Sequence, residues 1–155
     1  MNITLNLDDK MFNAKPQGQE IAAIRKRLGR GTVTISTDEL INHIELGKSF
    51  TPAAMTGTTG DTWTSQQIIV ADIDNETETT ADQDGVLMQY APISSGSATA
   101  LCDRYGITPF FMYHTFSNSD DLEKYRIVLI LDQPIADKQE AAELTARFAD
   151  IFNKR

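Results

Sequence analysis

Two aspartates follow a short apolar run near the middle of the chain, in the segment QQIIVADIDN at Gln66–Asn75. The run Ile68–Val70 is rich in β-branched residues and is typical of a strand buried on both faces. Because residues at i and i+2 of a strand point to the same side, Asp72 and Asp74 are predicted to project together, with Ile73 on the other face. Two carboxylates held this close repel, and a divalent cation with oxygen ligands, Mg²⁺ or Mn²⁺, is the usual compensation. The segment therefore predicts a metal site, with an ordinary strand exit as the structural alternative.

Polar side chains also mark two later strand ends, where they could bind phosphate oxygens. The segment Phe110–Phe116, a polar turn and the apolar segment Tyr125–Leu131 together predict an antiparallel hairpin. Cations beside a pair of metal-binding carboxylates are what phosphoryl and nucleotidyl transfer requires, because the cations neutralise the triphosphate. The structural alternatives are that Arg126 pairs with a carboxylate across the hairpin and that His114 lies in the core. The candidate phosphate ligands are His114, Ser117, Lys124 and Arg126.

The composition is that of one globular domain with an acidic balance. The chain has 155 residues, of which 41% are hydrophobic and 23% are charged, enough for a sizeable core. Its net charge of -8 opposes binding of nucleic acid through the overall field, since that binding depends on neutralising phosphates. Cys102 is the only cysteine and no apolar run reaches membrane-spanning length, so we expect a cytoplasmic protein with no membrane partner.

A single basic group of residues stands out against this acidic background, on a helix predicted over Gln17–Gly29. Such a helix face is either ordinary solvated surface or a contact for the phosphate backbone of a nucleic acid. The candidate nucleic-acid ligands are Arg25, Lys26, Arg27 and Arg30.

Periodicity and capping signals predict an α+β fold in a single domain, with a mixed or antiparallel central sheet and flanking helices. Ser36 with Glu39 forms a capping box that opens a second helix, and Asp137 with Glu140 opens the last one. Two segments lack periodicity and are predicted to be loops, Lys48–Thr64 and Asn75–Asp84.

The order of these segments resembles the archaeo-eukaryotic primase superfamily, the primase-polymerase domains of phages, plasmids and integrated mobile elements. The stretch IIVADID is similar to the family's first motif, a hydrophobic strand that ends in Asp-x-Asp. The stretch FFMYHTFSNSDDLEKYRIVLILDQPI resembles the strand-turn-strand of the mobile-element branch, and ELINHIELGKSFTPAAM before WTSQQIIV resembles its lead-in. The resemblance covers roughly Thr34–Phe152.

This resemblance implies an RRM-like primase-polymerase core that carries out metal-dependent nucleotidyl transfer in DNA replication of a mobile element. Asp72 and Asp74 match the family's metal ligands for Mg²⁺ or Mn²⁺. Arg126 stands where the second motif has a histidine, and would contact the phosphates of the incoming nucleotide as part of the catalytic set. The implied partners are a nucleoside triphosphate, a DNA template and a downstream helicase domain or another replication protein.

One part of the family pattern is missing from the sequence. The third motif supplies a further metal-binding aspartate, and its place in the family lies downstream of Arg155. We therefore expect the chain to be an N-terminal portion of a longer replication protein, and catalysis by this portion is left open. The alternative is a non-catalytic acidic module that retains the primase shape and binds a protein partner or mimics DNA.

Overall fold

The computed structural model describes residues 1–75, 79–81, 87–89 and 92–153. Within these ranges the chain has the predicted α+β structure, and its strands form antiparallel pairs. The helices are α1 (Gln19–Leu28), α2 (Thr37–Glu45), α3 (Ser95–Arg104) and α4 (Lys138–Asn153). The strands are β1 (Asn2–Met11), β2 (Val33–Ser36), β3 (Lys48–Thr51), β4 (Ala53–Met55), β5 (Trp63–Asp74), β6 (Thr79–Ala81), β7 (Leu87–Gln89), β8 (Phe111–His114) and β9 (Lys124–Ile135).

The strands form three sheets, in the orders β2-β1-β3, β4-β5-β9-β8 and β6-β7. The chain, which its length predicts to be one domain, divides into two compact units. The first unit contains Met1–Ile69 and Ile130–Leu144, and the second contains Val70–Leu129 and Thr145–Arg155. Strands β5 and β9 therefore each contribute residues to both units. Among the described residues, no helix is both long and apolar enough to span a membrane.

In the first unit, the buried side chain of Asn6 on β1 joins three parts of the chain. Its amide nitrogen donates to the carbonyl oxygens of Leu28 at 2.7 Å, Gly31 at 3.1 Å and Met55 at 2.8 Å. Its amide oxygen accepts from the Met55 backbone N–H at 2.8 Å. Because buried polar groups need hydrogen-bond partners, this one side chain fixes the end of α1 and strand β4 against β1.

The capping box predicted for α2 is present. The Ser36 hydroxyl accepts from the Glu39 backbone N–H at 3.2 Å, and the Glu39 carboxylate accepts from the Ser36 backbone N–H at 2.7 Å. His43 on the same helix is buried, and its Nε2 lies 2.9 Å from the carbonyl oxygen of Ser49. The helix is followed by Gly47, whose positive φ of 69° allows the chain to turn into β3.

The prediction that Lys48–Thr64 is an irregular loop is wrong for most of that segment. Strand β3 pairs with β1, with Phe50 opposite Leu7, and β4 pairs with β5, with Ala53 opposite Gln66. The segment is rich in Thr and Gly and shows no alternation of apolar and polar residues. Its strands are ordered by pairing with the backbones of β1 and β5, and a local sequence pattern does not reveal that pairing.

Two other boundaries differ from the prediction. The second predicted loop, Asn75–Asp84, contains β6, and residues 76–78 and 82–84 of it lie outside the described residues. Strand β9 continues through Pro134, in the exposed part of the strand, where the sequence predicts a break. Proline is tolerated in a strand where its missing N–H is not needed for pairing.

Candidate functional site

The two aspartates of β5 lie on one side of the strand, as the alternation predicts. Their side chains are 53% exposed for Asp72 and 60% exposed for Asp74. Between them Ile73 is buried, and Ala71 before them is buried as well. The strand therefore presents its carboxylates on an open face and its apolar side chains to the core.

Two cations of the neighbouring strand β9 face these carboxylates. Arg126 donates from Nε at 3.1 Å and from Nη2 at 2.9 Å to the same oxygen, Oδ2 of Asp72. The Nζ of Lys124 lies 2.6 Å from Oδ1 of Asp74. Between Lys124 and Arg126, Tyr125 is buried on the other face. We call Asp72, Asp74, Lys124 and Arg126 the charged cluster.

The charged cluster is electrically balanced, because two carboxylates face two cations. Partial burial is the largest single effect and works against the charge of Arg126, but its interactions with Asp72 and Tyr113 together outweigh it and raise the pKa of the guanidinium. The repulsion predicted between the two aspartates is thus compensated by side chains of β9 in the described structure. A charged ligand that enters must compete with these ion pairs.

Tyr113 on β8 adjoins the charged cluster and is a residue that the sequence analysis missed. It pairs directly with Arg126 in the antiparallel register, and its hydroxyl accepts from Nη1 of Arg126 at 3.4 Å. Burial raises the pKa of the Tyr113 phenol, so it remains protonated at neutral pH. Because Tyr113 lies two residues after Phe111 in a predicted strand, alternation could have placed these two side chains on the same face of β8.

The buried side chain of Asn75 fixes the ends of the two charged strands. Its amide nitrogen donates to the carbonyl oxygens of Ile93 at 2.8 Å and Glu123 at 2.7 Å, and its amide oxygen accepts from the Ile93 N–H at 2.9 Å. Because Asn75 directly follows Asp74 and Glu123 directly precedes Lys124, these bonds hold the two ion-paired residues in register. In the sequence, Asn75 is typical of an ordinary strand exit, and its bonding role could not be predicted.

His114 lies on the opposite face of the hairpin from Arg126. It pairs with Tyr125 in the register, its side chain is 57% exposed, and its Nε2 lies 3.1 Å from Oε1 of Glu123. The other oxygen of Glu123 accepts from the backbone N–H of Ser95, the first residue of α3, at 2.8 Å. His114 is therefore linked through Glu123 to the start of α3, whereas the sequence predicts it to be one of the phosphate ligands. Ser117 lies half-buried in the turn after β8.

The basic residues on and just after α1 divide into two kinds. Arg27 binds the fully buried carboxylate of Asp8, from Nε at 2.6 Å and Nη2 at 3.0 Å, and also binds Glu20 at 2.7 Å. The hydrogen bonds that Arg27 donates to Asp8 and then to Glu20 raise its pKa, so Arg27 is engaged in a structural ion pair. These ion pairs engage the Arg27 guanidinium, and its contact with nucleic acid remains a prediction. The other basic residues are exposed: Arg25, Lys26 and Arg30.

The donor set of the charged cluster fits Mg²⁺ or Mn²⁺ in one particular way. Asp72 and Asp74 supply carboxylate oxygens, the ligand type that these hard cations prefer. Within residues 1–75, 79–81, 87–89 and 92–153, no group of three or more His, Cys, Asp or Glu side chains could hold a metal ion. Mg²⁺ is commonly held by one or two carboxylates together with substrate phosphates and waters. The pair therefore fits a metal that shares a phosphorylated ligand, and does not form an all-protein cage.

The chain matches no protein-family model, no curated protein and no solved structure. Its function must therefore be inferred from the chemistry of the site.

Proposed function

We propose that the charged cluster binds a nucleoside triphosphate together with Mg²⁺ or Mn²⁺, in a domain of the primase-polymerase type with an RRM-like core. The observation that carries this proposal is the pairing of two exposed carboxylates on β5 with two cations on β9, on one face of the sheet. Carboxylates of this kind bind the metal, and cations of this kind bind phosphate oxygens.

Binding on this proposal is an exchange of partners within the charged cluster. Arg126 and Lys124 move their hydrogen bonds from the two aspartates to phosphate oxygens of the ligand. Asp72 and Asp74 then direct their oxygens to the metal ion that accompanies those phosphates. Every charge keeps an opposite partner throughout, which avoids leaving a carboxylate or a cation uncompensated.

The exposure of the charged cluster supports this exchange. The side chains of Arg126 and Asp72 are 41% and 53% exposed, and ion pairs at such exposure contribute only about 0–1 kcal/mol. A guanidinium also matches two phosphate oxygens at once, which a single aspartate oxygen does not offer here. The Arg126–Asp72 ion pair is therefore a weak competitor for a triphosphate.

The reaction that this binding serves is, on our proposal, template-directed nucleotidyl transfer in DNA replication of a mobile element, alongside a helicase domain or another replication protein. The support is the match of Asp72 and Asp74 to the Asp-x-Asp motif and of β8 and β9 to the strand-turn-strand of that family. Transfer by two metals requires a further oxygen ligand beyond these two aspartates. For the described residues alone we therefore propose nucleotide binding.

The experiment that tests this proposal is calorimetric titration of ATP in the presence and absence of Mn²⁺. We expect Mn²⁺ to strengthen ATP binding to the wild type by tenfold or more. In an Asp72→Asn/Asp74→Asn variant the metal ligands are lost, and Arg126 and Lys124 lose their ion pairs with these two side chains. Its ATP affinity should become nearly independent of Mn²⁺.

A matched control is Asp120→Asn/Asp121→Asn, which changes the net charge equally in the exposed turn before β9. This control should keep the full effect of Mn²⁺. If the wild type binds ATP in neither condition, the proposal fails, and the net charge of -8 then favours the acidic interaction module or DNA mimic. Equal dependence on Mn²⁺ in the wild type and the Asp72/Asp74 variant would refute the metal assignment.

A further inference from the structure

Two aromatic rings on β8 lie on the same face of the sheet as the charged cluster. Tyr113 pairs with Arg126 and Phe111 pairs with Val128, so both rings project to the side that carries Arg126. Their centroids are 6.0 Å apart, and their planes are inclined by 33°. Both side chains are half-buried, which leaves part of each ring at the surface. We call Phe111 and Tyr113 the aromatic pair.

Arg126 joins the aromatic pair to the charged cluster. Its Nη1 donates to the Tyr113 hydroxyl at 3.4 Å, while its Nε and Nη2 donate to Asp72. Strand β8 is at the end of the sheet order, next to β9. The backbone of Tyr113 is thus one strand spacing, about 4.8 Å, from that of Arg126, and Phe111 lies two residues further along β8, opposite Val128.

We infer that the aromatic pair holds the base of the same nucleoside triphosphate whose phosphates are bound by Lys124 and Arg126. This inference rests on the proposed function. In a nucleotide only the ribose separates the base from its phosphates, so the base must lie close to the phosphate ligands. Bases stack on aromatic side chains through their π faces, which all four bases share. The ligand class is therefore a nucleoside triphosphate, with little discrimination between bases.

A free nucleotide fits this face better than a nucleic-acid strand does. A strand brings many phosphates, and the net charge of -8 opposes their approach. One triphosphate with a divalent cation brings little net charge, and the two cations of β9 meet its phosphates. The aromatic pair is also small, since two neighbouring rings provide stacking for a single base.

The test compares two ligands that differ only in the nucleoside, ATP and inorganic tripolyphosphate, both titrated with Mn²⁺ into the full chain. In Phe111→Leu and Tyr113→Leu we expect ATP affinity to fall roughly tenfold, the loss typical of one stacking contact. Tripolyphosphate affinity should stay at the wild-type value, which also shows that each variant is folded. Tyr113→Phe keeps the ring and should keep most of the ATP affinity.

Phe116→Leu is the matched control, because Phe116 is 49% exposed and lies in the turn after β8, outside the aromatic pair. It should bind both ligands as the wild type does. Binding of neither ligand by the wild type would overturn the proposed function itself. Wild-type ATP affinity in both leucine variants would overturn only the inference about the base. A parallel loss of tripolyphosphate would also overturn it, since the rings would then act by positioning Arg126.

Discussion

At the scale of single residues, the charged cluster shows how an exposed ion pair can prepare a binding site at small cost. Both bonds from Arg126 to Asp72 end on one carboxylate oxygen, so this pair lacks the two-oxygen geometry that makes such contacts strong. An exposed pair of this kind contributes about 0–1 kcal/mol to stability. The ion pair therefore positions both side chains while leaving each of them available to a ligand that binds it more strongly.

The exchange of partners gives opposite expectations for two ligands in an Arg126→Gln variant. Loss of the guanidinium removes a phosphate ligand, so affinity for Mn²⁺ with ATP should fall by about tenfold. The same change frees Asp72 from a competing cation, so affinity for Mn²⁺ alone should rise. Calorimetry with each ligand measures the two effects separately.

Arg104→Gln, which removes an exposed positive charge from α3, is the control for net charge. It should leave both affinities at their wild-type values. A fall in both affinities in Arg126→Gln would show that Arg126 only maintains the local structure, contrary to the proposed exchange.

The sequence could predict which side chains lie together where their placement follows from the alternation of a single strand. That alternation placed Asp72 and Asp74 together, whereas the position of Arg126 beside them depends on β9 lying next to β5, which only the family resemblance implied. The alternation could not show that His114 faces away, because this depends on the register of β8 with β9. It also could not show that Arg27 is committed to the buried Asp8, since their sequence positions are far apart.

At the scale of elements, side chains at strand ends hold the charged strands and α3 together. Asn75 links the end of β5 to the residue before β9, and the Glu123 carboxylate binds the first backbone N–H of α3. A negative charge at a helix N-terminus is favourable because it meets unsatisfied N–H groups and the positive end of the helix dipole. Glu123 therefore stabilises α3 while its backbone oxygen fixes β5.

This role predicts a pH-dependent effect of Glu123→Gln. Hydrogen bonds from Ser95 and His114 lower the pKa of Glu123 below its ordinary value of 4.5. Its ionised form therefore adds stability that is present above pH 4.5 and is lost as the pH falls through the lowered pKa. At pH 7 the variant should lose about 1 kcal/mol in the free energy of unfolding, measured by urea denaturation.

As the pH falls towards 3 and through the lowered pKa, the stabilities of the wild type and Glu123→Gln should converge, since the carboxyl becomes protonated. Asp121→Asn, in the exposed turn of the same hairpin, should follow the wild type at both pH values. A constant difference between pH 7 and pH 3 would show that the charge of Glu123 is not what stabilises α3.

The helices and the hairpin were predictable because they depend on local signals. Each of these signals depends on residues that are close together in the sequence. They are the capping box of α2, the apolar face of α4 and the two strands around the polar turn. Strands β3 and β4 were missed because pairing with β1 and β5 orders them. Asn6 and Asn75 were missed for the same reason, since the backbone groups they bind are remote in sequence.

At the scale of the whole molecule, the net charge of -8 sets the expectation for nucleic acid. An acidic chain is repelled by a polyanion, so any contact with a strand depends on a local group of cations and is sensitive to salt. Among the basic residues on and just after α1, Arg27 is engaged in ion pairs with Asp8 and Glu20. The exposed members Arg25, Lys26 and Arg30 remain as the candidate contact.

An Arg25→Gln/Lys26→Gln/Arg30→Gln variant tests that contact through the salt dependence of binding. Each cation that neutralises a phosphate of single-stranded DNA contributes about 0.7 to the slope of log affinity against log salt. If all three residues contact a strand, the variant should bind a labelled oligonucleotide more weakly and with a slope smaller by about 2. Fluorescence anisotropy over a range of salt concentrations measures both quantities.

A Lys15→Gln/Arg104→Gln/Arg147→Gln variant has the same net charge and should keep the wild-type slope. Equal slopes in all three proteins would identify the basic face of α1 as ordinary solvated surface, because the overall charge alone would then govern the weak binding.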